Sequence, residues 1–227
     1  KSLDAITSEN GRFEWQVPVK AGLNQLVCNA TDAGLTDVLN INYRFIDTSP
    51  ISHLLDGPIY FNTGQTRTFF TDLKSGEQWM PDKPYSNSSW GYVGGEVWST
   101  WPSAAWNGIR EGIHKPIRHT DNEPVFQTFV EGLQAWKADV PAGKYRVSIL
   151  LAEPFTENQR QKTDRIMNVS LNGVSWMEQL NLAKDFGIQS AVTFDKELMV
   201  KGNEGITIGF TSTSGKTILN GVMIEKL

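Results

Sequence analysis

Carboxylates, histidines and a dense run of aromatic rings are the side chains here whose types suit chemistry or recognition. Glycoside hydrolysis needs two carboxylates flanking one bond. Asp72, Asp82, Glu96, Glu123, Glu153 and Asp164 are scattered and form no recognisable pair in the sequence. A complete hydrolytic site is therefore not expected, although separation along the chain does not exclude a pair in space. His114 and His119 are five residues apart among Lys115 and Arg118, which is not the i, i+4 spacing of a helical zinc site. With His53 they read as residues of solvated loops. No Gly-Lys-Ser/Thr phosphate loop, Gly-x-Gly-x-x-Gly or Gly-x-Ser-x-Gly is present. The one cysteine, Cys28, excludes a disulfide scaffold and a cysteine-based metal motif. It alternates with Leu26 and Ala30, so a small buried hydrophobe is expected. Asn29-Ala30-Thr31, Asn87-Ser88-Ser89 and Asn168-Val169-Ser170 match the short glycosylation triplet, which matters only in a secreted eukaryotic protein.

The aromatics are concentrated. Residues 88–106, SSWGYVGGEVWSTWPSAAW, hold Trp90, Tyr92, Trp98, Trp101 and Trp106 among Ser, Gly and Pro, as in a loop. Of eight Trp, five (with Trp79) fall in residues 79–106. Three readings stay open. The rings form the core of a loop folded over the end of the domain. They present a platform for the C–H faces of sugars, beside polar groups that bond hydroxyls. Or they form an interface with a neighbouring domain. Stacking predicts solvent-open, roughly coplanar ring faces; a structural role predicts rings packed on Val93, Val97 and Ile109 with no cleft.

The elements that must position these residues are strands. Phe13, Trp15, Val17 and Val19 alternate with polar residues, as do Leu39, Ile41, Tyr43 and Phe45, and Trp136, Ala138 and Val140. Tyr145, Val147, Ile149 and Leu151 share one face, as do Met167, Val169 and Leu171, and Ile206, Ile208 and Phe210. Asn10-Gly11, Lys20-Ala21-Gly22, Pro141-Ala142-Gly143 and Asn172-Gly173 separate the runs, and Asn-Gly favours a type I′ hairpin. Only Glu178 to Asp185 suggests a short helix. The class expected is all-β, an antiparallel sandwich. A loop-rich stretch over residues 47–57 divides residues 1–46, with too few strands for a sandwich of their own, from the main module at 58–227. FEWQVPVKAGLNQLVC and WKADVPAGKYRVSILL look alike, which fits two hairpins meeting the same turn problem better than duplication. The net charge of −4 argues against a duplex nucleic-acid binder, and no apolar run is long enough to span a membrane. The start at Lys1-Ser2-Leu3, in mid-pattern, reads as that of a piece of a longer protein.

Residues 58–227 resemble malectin-like domains, also classed as family 57 carbohydrate-binding modules. The matching stretches run in family order: Tyr60-Phe61-Asn62-Thr63-Gly64, Thr71-Asp72, Gly76, Trp79, Asp82, Tyr85, Gly94-Gly95, Phe126-Gln127-Thr128, Val140 to Val147, Leu151-Ala152-Glu153-Pro154-Phe155, Leu171-Asn172-Gly173 and Leu219-Asn220-Gly221-Val222. The strand Gly11 to Pro18 resembles the last strands of the immunoglobulin-like domain that precedes such a module at the C-terminus of many bacterial family 2 glycoside hydrolases, often labelled β-galactosidases. The resemblance implies a jelly-roll sandwich and a non-catalytic, glycan-binding or accessory role. The catalytic carboxylates would lie on upstream domains of the same polypeptide, which become the expected partners, outside the cytoplasm. No nucleic acid, membrane or cofactor is implied, beyond the structural calcium ion found in many related β-sandwich modules. Trp90 or Tyr92 would match the aromatic of the family's first loop, and Phe155 the one after its Ala-Glu pair. Trp98, Trp101 and Trp106 are added stacking candidates, and Asn107, Asn122 and Glu153 candidate hydroxyl partners. The family's Glu-Arg after Gln-Thr is Phe129-Val130 here, and Gly215 stands about where malectin has an acidic contact, so its glucose specificity does not carry over.

Overall fold

The structure is a computed structural model that describes residues 22–30, 34–43, 51, 55–65, 70–72, 75–99, 111–155 and 165–227. The chain divides into two units, Lys1–Phe45 and Ile46–Leu227. In the first, β1 (Gly22–Ala30) and β2 (Leu35–Tyr43) form an antiparallel hairpin with Leu26 opposite Leu39 and Val27 opposite Val38. Among the described residues of this unit no second layer covers these two strands, and Val27, Val38 and Leu39 are exposed. Cys28 is exposed as well, against the expectation of a buried thiol. The alternating run at 13–19 and the Asn10-Gly11 turn lie outside the described residues.

The second unit is a sandwich, as expected. Its elements are β3 (Ile59–Asn62), β4 (Phe70–Thr71), β5 (Gln78–Pro81), β6 (Trp90–Val97), α1 (Glu123–Gln127), β7 (Val130–Ala138), β8 (Gly143–Leu151), β9 (Ile166–Leu171), β10 (Val174–Leu180), α2 (Leu182–Asp185), β11 (Val192–Val200), β12 (Ile206–Ser214), β13 (Ile218–Leu219) and β14 (Gly221–Lys226). One sheet runs β10-β9-β12-β7-β13, with β6 on the open side of β7; the other runs β11-β8-β14-β3-β5-β4. Among the described strands, β3 with β5 is the one parallel pair, where the chain returns in the same direction. The alternating residues face inward as their period requires: Tyr145, Val147, Ile149 and Leu151 are fully buried, facing Trp136, Met167, Val169, Leu171 and Ile208. A second, smaller cluster of Trp79, Ile117, Val125, Phe126, Leu150 and Ala152 packs on the other face of the second sheet.

Asn172-Gly173 closes the β9–β10 hairpin with φ of 46° and 78°, the left-handed pair a type I′ turn demands. Pro141-Ala142-Gly143 does something else. It joins β7 and β8, which lie in different sheets, so this Val-Pro-Ala-Gly motif turns a corner and not a hairpin. Ile51, in the stretch read as a linker, is fully buried in the sandwich core. The helix read over Glu178 to Asp185 shrinks to α2, because β10 continues to Leu180.

Residues 90–97, read as loop, form an edge strand. Its glycines suit that edge. Gly94 and Gly95 have φ of 67° and 74° at a bulge after Val93. A Cβ on Gly91 would lie 2.1 Å from the Lys83 carbonyl oxygen, so only glycine lets the 83–85 segment close over β6.

Candidate ligand site at one end of the sandwich

The family-like motifs converge on one buried junction. Asn220 donates from Nδ2 to the carbonyls of Phe126 (2.8 Å) and Thr128 (3.0 Å), and its Oδ1 accepts from the Ala152 N–H at 2.9 Å. Thr128 donates to Asn62 Oδ1 at 2.6 Å, and the Thr63 hydroxyl donates to the Leu219 carbonyl. Gly64 follows, pressed so close that a Cβ would lie 2.2 Å from Phe129 N. The motifs thus knot four strand ends together and set where the next side chains emerge.

Those side chains are Trp98, just after β6, Phe129, just before β7, and Phe155. The Trp98 N–H donates to the Phe129 carbonyl at 3.1 Å. Trp98 stacks on Phe129 with centroids 5.4 Å apart and planes 23° from parallel. Phe155 stands edge-on to both, 5.4 Å from Trp98 and 5.7 Å from Phe129. Phe129 is fully buried; Trp98 and Phe155 are half-buried. This end of the molecule therefore offers two partly open rings set at 64° to each other, with one face of Trp98 backed by Phe129.

Beside the rings lies a buried ion cluster. The Arg165 guanidinium donates from Nε to Glu153 (3.0 Å) and from Nη2 to Glu131 (2.8 Å), and its Nη1 reaches the carbonyls of Lys216 and Thr217. The other Glu153 oxygen accepts from the Phe155 N–H at 3.4 Å. Lys216, at the rim, pairs with Glu96 at 3.3 Å. Glu131 and Glu153 are the carboxylates nearest to forming a pair at this end. Both hold one guanidinium, so their oxygens are engaged and do not flank an open cleft. Neither residue pattern nor spacing signals Arg165 or Glu131. Phe129 stood out only as a departure from the family pattern.

The structure sorts the expected site residues. Trp98 and Phe155 come together. Trp90 does not join them. It is 2% exposed, packed on Phe61 at 5.4 Å, with the Lys83 ammonium 4.3 Å from its ring centroid. Its place is in the core, because it starts β6 on the inward face. Tyr92 is half-buried near the same end of β6, its hydroxyl pKa raised by burial and by Asp82. Six residues of strand separate it from Trp98, about 20 Å, too far to share one small ligand. Glu153 is 2% exposed and braces Arg165 and the Phe155 backbone, so its carboxylate faces protein and not solvent. Asn122 caps α1 without a side-chain cap bond and donates to Glu77 at 3.3 Å, on the Tyr60–Trp79 side of the second sheet. No contact among the described residues brings it to the rings. Trp101, Trp106 and Asn107 lie outside the described residues. His114 and His119 are exposed, and His119 Nδ1 lies 2.8 Å from the Ser190 hydroxyl. Among the described residues no group of three or more His, Cys, Asp or Glu could hold a metal ion, and no helix is long and apolar enough to cross a membrane.

Neither a protein-family model nor a curated protein matches the chain. Solved structures do. The chain is similar to the crystal structure of Bacteroides uniformis β-glucuronidase, with 26% identity and a TM-score of 0.70 over 94% of this chain and 24% of that one. Bacteroides uniformis β-glucuronidase 2, covalently bound to cyclophellitol-6-carboxylate aziridine, matches with 27% identity and a TM-score of 0.70, over 94% and 23% of the two chains. The extracellular domain of ANXUR2 from Arabidopsis thaliana shares the fold at 18% identity and a TM-score of 0.53, over 75% and 48%. The chain spans about a quarter of the length of the bacterial enzymes it matches.

Proposed function

We propose that residues 46–227 form a non-catalytic accessory module of a larger bacterial glycoside hydrolase, and that Trp98 and Phe155 bind a glycan weakly at its loop end. The observation that carries the reading is the match of nearly the whole chain to a quarter of a β-glucuronidase. The β1–β2 hairpin supports it, since its exposed Val27, Val38 and Leu39 suit strands of an immunoglobulin-like domain completed by preceding polypeptide. That preceding polypeptide would carry the catalytic carboxylates and act on a β-glucuronide or β-galactoside outside the cytoplasm. A second reading, a structural module packed on the catalytic domain without binding sugar, is favoured by one observation. The rings meet edge-on and do not form a coplanar platform.

Tryptophan fluorescence titration with galacto-, gluco-, xylo- and glucuronate-ended oligosaccharides separates the two. Glycan binding predicts a saturable change with Kd of about 10 μM to 1 mM. Trp98→Ala and Phe155→Ala would abolish it in folded protein. Trp90→Ala, a core truncation, would instead cost about 3–5 kcal/mol of stability. A flat response up to millimolar sugar overturns glycan binding and leaves the structural role.

A further inference from the structure

We infer that the outer face of the first sheet carries a second binding cleft, for an uncharged, hydroxyl-rich chain such as a neutral oligosaccharide. Its lining includes neither Trp98 nor Phe155, and it is independent of the reading above. The cleft, of about 390 Å³, lies across β10, β9 and β12. That volume is in the range of small-molecule sites.

Strand register builds it. Ser175 pairs with Ser170, Ser170 with Gly209, Gly209 with Ala135, and Ala135 with Val93, in one row across five strands. Alternation puts this row on the outer face, because Val169, Ile208, Phe210 and Trp136 fill the inner one. The floor is low because the row is Ser, Ser, Gly and Ala. Gly209 keeps the floor bare beside the Ser170 hydroxyl, which a Cβ there would approach to 2.6 Å and push aside. One wall is the next row, where Asn168 pairs with Thr211 and accepts the Gln179 N–H at 2.8 Å. Two register shifts in β10 bring Glu178 and Gln179 to line the cleft together.

The chemistry follows from the lining. The side chains of Ser170, Thr211 and Gln179 make no hydrogen bond among the described residues, so their donors and acceptors are available to a ligand. Glu178, the one charged group in the lining among the described residues, accepts from the Ser175 hydroxyl at 2.9 Å. Among the described residues no cation lines the cleft, and Lys196, at its edge, is engaged by the Ser175 carbonyl at 3.0 Å, so an anionic ligand finds no free counter-charge inside it. An apolar ligand would strip water from these polar groups without replacing its hydrogen bonds. A neutral polyol satisfies them, and its C–H faces fit the bare backbone at Gly209 and Gly173.

Amide chemical shifts of the ¹⁵N-labelled chain, titrated with neutral gluco-, galacto- and xylo-oligosaccharides and one glucuronate-ended oligosaccharide, test this. Expected is a saturable movement of the Ser170, Gly209 and Thr211 amides by at least one neutral sugar, retained in Trp98→Ala. Ser170→Ala and the isosteric Thr211→Val should each weaken it about five-fold, the loss of one hydrogen bond. Both keep the sheet, which unchanged shifts elsewhere would verify. Movement confined to amides around Trp98 and Phe155 overturns the cleft and leaves the loop-end site standing. Movement of the groove amides by the glucuronate-ended sugar alone overturns the neutral class. No movement anywhere overturns both sites.

Discussion

Replacing Asp82 by Asn should remove the pH dependence of stability contributed by one buried carboxyl. Asp82 is 2% exposed, between the Trp136 indole, which donates to Oδ2 at 3.1 Å, and the Lys83 N–H, which donates to Oδ1 at 2.8 Å. Burial pushes its pKa from 3.8 up to about 7, against the opposing pull of those two hydrogen bonds and the Lys83 charge. Lys83 itself is turned toward the Ser89 hydroxyl at 2.6 Å and the Trp90 ring. Because the folded pKa is the higher one, the folded state holds a proton that the unfolded chain releases near pH 4. Stability from this group is therefore fully present below pH 4 and is lost as pH rises to about 7. A shift of about three units corresponds to about 4 kcal/mol across that window. The assay is urea unfolding of the intact chain and of Asp82→Asn from pH 4 to pH 8, followed by tryptophan fluorescence. The asparagine loses one hydrogen-bond acceptor at a fixed cost, so the informative quantity is how the difference between the two proteins changes with pH. It should move in favour of the variant by about 4 kcal/mol from pH 4 to pH 8. Parallel curves, or a difference growing in favour of Asp82 as pH rises, would refute the argument that burial dominates its environment.

Further substitutions test the packing around the loop-end rings, with one hairpin glycine as the comparison. Arg165→Met should cost about 3–5 kcal/mol in urea unfolding, because Glu153 would be left buried without its cation and Glu131 would keep only Lys216, at 3.9 Å. Replacing all three residues with Met should cost less than the single change, since no charge is then left unpaired. Gly64→Ala, with φ of 82° and a Cβ placed 2.2 Å from Phe129 N, should lower stability by more than about 2 kcal/mol. Gly173→Ala, with a similar φ of 78° but nothing within 4 Å, should cost only about 1 kcal/mol, so the denaturation midpoints separate backbone strain from collision.

Period-2 alternation made the sandwich legible, because a strand facing one core must repeat every second residue. Tyr145 to Leu151 and Ile206 to Phe210 are buried as that rule requires. Alternation carries no information about which sheet a strand joins. The corner at Pro141-Ala142-Gly143 was therefore unreadable, although the hairpin at Asn172-Gly173 was readable from its turn chemistry. Cys28 shows the complementary limit. Its alternation marks a face that a second layer would cover, and the described part of the first unit supplies only two strands. Glycine misled at residues 90–97. Gly91, Gly94 and Gly95 resemble loop composition, yet here they serve an edge strand that must bulge and pass closely under another segment.

The same limit explains why the candidate site was legible as a place but not as an arrangement. Aromatic density pointed to residues 88–106, yet Trp90 and Trp98 differ in role because eight residues of strand carry the chain from the core to the loop end. Glu153 read as a hydroxyl partner because the family pattern marks it. What decides its role is Arg165, twelve residues on, whose guanidinium it meets where β9, paired with β12, begins. A buried ion cluster of this kind is weak as a source of stability but directional. Its bonds tie the start of β7, the 153–155 segment, the start of β9 and the 216–217 turn to a single guanidinium, and through Glu153 to the Phe155 backbone. The angle at which Phe155 meets Trp98 is thus set by residues that have no reason to touch a ligand. Truncating the rings removes a surface, whereas altering Arg165 would reorient one.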